Sequence, residues 1–151
     1  MGTTSREIYD LFMMTVQDYR LVDLYNTSEE DFDTYLEAWL LYAIHDFSVC
    51  NQSLAFDIST DLFTENLTQT NKLILAKLMM KHWLQREVNN ITQMNLHITD
   101  RDFRIASEAQ NLKEKVRYLE SVKEDCSQML NDYGYANNSW DDWFNQSFKG
   151  D

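Results

Sequence analysis

The chain contains no proline at all, and glycine stands only at positions 2, 134 and 150. Folds built from many strands need a turn every 8 to 12 residues, and those turns draw on proline and on glycine at positive φ. Nothing in the sequence supplies that punctuation, so the fold class expected is all-α. At 151 residues the chain matches one domain with one core. The reading is a compact bundle of about four helices with a long C-terminal helix and a short aromatic tail. Residues 1–134 form the bundle and 135–151 a separate acidic, aromatic docking tail.

The helices are placed by period and by caps. Thr4-x-x-Glu7 has the form of a capping box, and Ile8, Leu11, Phe12, Thr15, Val16 and Tyr19 then recur at helical spacing, so a first helix is expected to fray near Leu21. An acidic loop follows from Asp23 to Asp33, in which Ser28 can cap. A second helix carries Leu36, Leu40, Ala43, Ile44 and Phe47 on one side and Tyr35, Trp39 and Tyr42 on an adjoining one. That apolar arc is wide enough to face another subunit. Between Asn51 and Gln69 no long period appears, and a short helix anchored by Leu54, Phe56, Leu62, Phe63 and Leu67 is the expectation. The third helix, Thr70 to Val88, is apolar over most of its circumference, with Leu73, Ala76, Met80, Trp83 and Leu84 lining the bundle centre. Asn95 to Thr99 alternates at period two and reads as extended or a short strand. The last helix repeats Leu112, Val116, Leu119, Val122, Cys126, Met129 or Leu130, and Tyr133, and Gly134 is read as its left-handed stop. If it starts near Asp100 it is about 33 residues, or about 50 Å, long enough to project beyond its own core.

The charge is uneven. Residues 1–70 hold 13 carboxylates against Arg6 and Arg20, whereas residues 71–151 hold 11 basic and 12 acidic side chains, within a net charge of -12. So acidic a surface repels nucleic acid, whose proteins bind by displacing counterions with Lys and Arg, and no sequence-specific nucleic-acid binding is expected. A solubilising face, a dock for a basic partner and the lining of a passage through which DNA moves without sticking all fit. No run of about 18 apolar residues marks a membrane span, and the N-terminal residues lack the pattern of a signal peptide. The Asn-x-Thr triplets at Asn66 and Asn90 are therefore read as chance, and Cys50 and Cys126 as free thiols in a reducing compartment.

No catalytic constellation stands out, and the chain is not expected to be an enzyme. His45, His82 and His97 show neither His-x-x-x-His spacing nor a Cys-x-x-Cys neighbour, so no metal is expected. Cys126 falls on the apolar stripe of the last helix and reads as core rather than nucleophile. Three glycines cannot build a phosphate loop, and Glu29-Glu30 or Asp141-Asp142 are sequence neighbours rather than acids converging on a pocket. No cofactor is expected. The functional lead is the tail, where Trp140, Trp143, Phe144 and Phe148 follow i, i+3, i+4, i+8 spacing and share one face if helical. Trp and Phe bury large areas on binding, and these four are the candidate partner-binding residues, the segment either folding back to cap its own domain or docking on a second protein or a neighbouring copy.

The order of Ser5-Arg6-Glu7-Ile8-Tyr9-Asp10, an acidic loop, the helix Tyr35-Leu36-Glu37-Ala38-Trp39-Leu40-Leu41-Tyr42-Ala43-Ile44, an apolar central helix and a longer final helix resembles the head-to-tail connector, or adaptor, proteins of tailed bacteriophages. The resemblance implies a non-enzymatic structural protein of the virion neck, made in the host cytoplasm. It also implies a homo-oligomeric ring, commonly dodecameric, beneath the portal protein and against a further neck or tail protein, with DNA passing through its channel. The C-terminal segment of that family often reaches onto the portal. Two other classes stay open: an acidic helical mimic of DNA that inhibits a nucleic-acid enzyme, and a regulatory or scaffolding protein paired through its long last helix.

Overall fold

The computed structural model describes the backbone of residues 2–97 and 102–137, with side chains for 2–93 and 110–137. It is all-α apart from one small hairpin. Five helices follow in order: α1 (Ser5–Thr15), α2 (Tyr19–Thr27), α3 (Glu29–Asp46), α4 (Gln69–His97) and α5 (Asp102–Asn137), with strands β1 (Phe56–Asp57) and β2 (Leu62–Phe63) between α3 and α4.

The capping box closes as expected, with Glu7 Oε1 accepting the Thr4 N–H at 3.3 Å. α1 is shorter than its apolar period suggests. Val16 is buried but extended, and Asp18 then caps a new helix by accepting the Arg20 N–H at 2.9 Å. Tyr19, read as part of the first apolar face, is 88% exposed. The expected acidic loop is helical on both sides of Ser28, which ends α2 and caps α3 by accepting the Asp31 N–H at 3.2 Å. Three carboxylates in the first turn of α3, Glu29 to Asp31, suit the positive end of its dipole. Residues that look loop-like by charge are thus good helix-start residues.

The segment expected to hold a short helix instead pairs Phe56 with Phe63 and Asp57 with Leu62, antiparallel. Its turn is made without glycine: Asp61 takes φ 55°, and Asp57 accepts from the Ser59 N–H and hydroxyl. The N-terminal residues lie along this hairpin, Phe63 N–H donating to the Thr3 carbonyl at 2.8 Å and Thr3 N–H to the Glu65 carbonyl at 3.1 Å. Gly2 approaches so closely that a Cβ there would sit 1.6 Å from the Phe63 carbonyl oxygen.

α4 is the central helix. It packs on α1, α3 and α5 and contributes Ile74, Leu75, Ala76, Leu78, Met79, Met80, Leu84 and Val88 to one core with Ile8, Phe12, Phe32, Leu36, Leu40 and Phe47. It continues through the stretch read as extended to His97, leaving only Ile98 and Thr99 of that stretch outside the described residues. Leu119, Val122, Cys126 and Tyr133 of α5 are buried against it. Gly134 does not stop α5: the helix runs on to Asn137, and no glycine among the described residues has positive φ. At the other end, Leu112 alone among residues 110–118 is better than exposed, and on α4 the same holds for Ile91 among residues 89–93. Residues 89–93 of α4 and 110–118 of α5 thus lie at the margin of the core, which Leu112 still touches.

Candidate partner-binding surface

Leu73, Lys77, Met80 and Leu84 recur every three or four residues along α4 and form one stripe; of the residues expected at the bundle centre, Ala76, Met80 and Leu84 are buried there. α1 flanks it on one side through Leu11 and Thr15, and α5 on the other through Tyr118, Val122 and Met129. The gap between these flanks is an open groove floored by Leu73, Ala76 and Met80. Leu73, expected at the bundle centre, is 50% exposed in it. Trp83 is half-buried rather than central, with its ring edge-on to Phe12 at 6.2 Å between centroids. One end of the groove reaches Trp83, Glu87 and Lys115. Its other end opens beside Asn71, Asp132, Ala136 and Asn137, where α5 finishes.

The mouth of the groove is polar and internally braced. Tyr133 donates its hydroxyl proton to Asn51 Oδ1, Asn51 N–H donates back to the Tyr133 oxygen at 3.0 Å, and Asn51 Nδ2 holds Asn137 Oδ1 at 3.1 Å. Asn71, almost fully buried, donates to Gln52 Oε1 at 2.7 Å while its own Oδ1 has no partner. Burial raises the Tyr133 hydroxyl above its ordinary pKa, so it stays a neutral donor. These bonds fix the end of α5 against the start of α4.

A second partly exposed surface lies on the α3 side of α4. Tyr35, Trp39, Tyr42 and His82 form a continuous aromatic run, with centroids 6.0, 6.3 and 5.1 Å apart, and the Arg86 guanidinium lies 5.3 Å from the Tyr35 ring and 5.6 Å from Trp39. His82 also meets Asp46 at 2.6 Å, and Lys81 meets the same carboxylate oxygen at 2.7 Å. His45 is exposed. Among the described residues no three His, Cys, Asp or Glu side chains gather as metal ligands. Cys126 is buried, and that burial raises its thiol pKa, which keeps it protonated and unreactive.

The acidic half has its two basic residues fully engaged. Arg6 spans Glu29 at 2.6 Å and Asp33 at 2.8 Å, and Arg20 spans Asp18 and Glu87. Asp10, Asp23, Glu30, Asp31, Asp57, Asp61 and Glu65 remain exposed. No protein-family model, curated protein or solved structure matches this chain. The candidate partner-binding residues Trp140, Trp143, Phe144 and Phe148 lie outside the described residues. The groove itself was hidden in the sequence because an apolar stripe facing a groove and one facing a core have the same period. Lys77, in the middle of that stripe, is the residue that signals the difference.

Proposed function

We propose that this chain is a structural subunit of a connector ring at the head-to-tail junction of a tailed-phage particle, placed beneath the portal and extending the DNA channel. The observation that carries the reading is the groove along α4, where Leu73 stays half exposed between α1 and α5. Ala76, Met80 and Leu84 of the same face are buried, so Leu73 is where this face opens to solvent and where a neighbour could complete it. The exposed carboxylates of the first 70 residues suit a channel wall that DNA slides along without adhering. On this reading Trp140, Trp143, Phe144 and Phe148 are the docking residues, no catalysis is involved, and portal and neck or tail proteins are the further partners. Arg6 and Arg20 each bridge two carboxylates, which weighs against DNA mimicry because an array of phosphate-like charges would need those groups free.

The test is the mass of the assembled protein. Light scattering over a range of concentrations, with negative-stain imaging, should show a closed ring of many 18.0 kDa chains, either alone or on a portal-type template. A strict monomer or dimer under both conditions would sink the proposal.

A further inference from the structure

We propose that α2 is a strap that unwinds and rewinds while the rest of the bundle stays folded, and that Arg20 is the latch that holds it closed. This property belongs to the single chain, whether or not copies form a ring. α2 has nine residues, Tyr19–Thr27, and Leu21 is its one buried side chain, with Leu24 partly buried beside it. A helix that short is not stable on its own in water, so it persists through what it touches. Its outer side carries Tyr19, Val22 and Tyr25, all exposed, so apolar burial contributes little. Among the described residues its backbone hydrogen bonds are local, from Leu21 and Val22 to Asp18 and from Ser28 to Leu24, and none joins it to another element.

Polar contacts supply the rest. The Arg20 guanidinium meets Asp18 at 2.8 Å and Glu87 at 2.5 Å, which ties the first turn of α2 to α4. Both carboxylates are largely covered, at 14% and 12% exposed, whereas the arginine side chain is 69% exposed. Salt therefore reaches the latch from the side of the cation. Toward its other end, Tyr25 meets Phe32 edge-on at 5.2 Å between centroids and lies 5.4 Å from the Arg6 guanidinium.

The two ends of α2 decide how it opens. The backbone is extended at Val16 and Asp18 on one side and at Ser28 on the other, and Val16 and Phe32 fix the flanking chain in the core. Nine helical residues span about 13 Å, whereas the same residues extended reach about 30 Å. With both ends held, α2 cannot swing away as a rigid lid, and unwinding supplies the slack to leave α4. The elbow before α2 and its first turn also wall a cleft of about 410 Å³ at the end of the groove, opposite Met80, Trp83 and Tyr118. Release of the latch widens that cleft and uncovers Leu21 while Leu75, Leu78 and Met79 stay buried at the centre.

The experiment is hydrogen–deuterium exchange of the full chain, read amide by amide, with Leu75 to Leu84 of α4 as the internal reference. Relative to their intrinsic rates, the amides of Asp23 to Thr27 should exchange at least about 100-fold faster than that reference. Raising sodium chloride from about 0.05 to about 0.5 M should speed α2 by about three-fold and leave α4 unchanged. Arg20→Ala should speed α2 by about five-fold at low salt and remove its response to salt. Glu87→Gln, which keeps the shape and removes the charge, should do the same, and the double variant should go no further than either single one. Equal protection of α2 and α4 would overturn the proposal, because α2 would then open only when the whole chain does. So would a salt response that survives Arg20→Ala, or an α2 unaffected by Glu87→Gln. Loss of protection in α4 together with α2 in either variant would also reject it, by making Arg20 part of the global fold rather than a latch.

Discussion

At the scale of single residues, two positions have consequences out of proportion to their size. Gly2 sits where a Cβ would lie 1.6 Å from the backbone oxygen of Phe63, and backbone cannot rotate aside as a side-chain end can. Gly2→Ala should therefore cost about 1 to 3 kcal/mol in denaturant melts by forcing the N-terminal residues off the hairpin. An unchanged midpoint would mean that this contact contributes little. Asp46 is the other. Burial opposes its ionisation, but the hydrogen bonds and charges of Lys81 and His82 outweigh that and hold its pKa below the ordinary value of 3.8. A carboxylate depressed on folding adds stability that is complete above the unfolded pKa and lost as pH falls through the folded one. Wild-type stability should thus fall more steeply with pH below 3.8 than that of Asp46→Asn, and parallel profiles would assign the acid sensitivity elsewhere.

At the scale of elements, Gly134 separates two readings of the same residue. As a left-handed helix stop it would resist alanine, but it lies inside α5 with nothing within 4 Å of where a Cβ would stand, so Gly134→Ala should stabilise the protein by about 0.5 to 1 kcal/mol. A loss of stability on that change would restore the stop. The elements that could be read from sequence were those with a strong period and a side-chain cap: α1 from Thr4, α3 from Ser28, and the apolar body of α4. Those that could not were decided by long-range contacts. The hairpin at Phe56 and Phe63 is stabilised by Thr3, which is distant in sequence, and its turn uses Asp61 where a glycine would have announced it. The groove was illegible for a related reason: whether Leu73 is covered depends on where α1 and α5 stop, and α4 carries no record of that.

At the scale of the whole molecule, the fold and the proposed assembly use different residues of one helix. Leu75 is fully buried in the core, and Leu75→Ala should cost about 2 to 5 kcal/mol in the isolated chain. Leu73, two positions earlier, is half exposed, so Leu73→Ala should change the melt by under about 1 kcal/mol yet reduce assembly. Equal losses of stability in the two variants would show that the groove is closed in the free chain and that the separation between folding and assembly does not exist. The margin of the core also bears on how a change in packing is transmitted. From Gln110 to Leu119, α5 runs about 13 Å, at 1.5 Å per residue, with Leu112 its one partly buried side chain before the buried stretch begins. A tilt of about 15° about the packing of Leu119 and Val122 on α4 would displace Gln110 by about 3 Å. A packing change such as Val122→Ala should therefore be felt at Gln110 as well as at the site of the change.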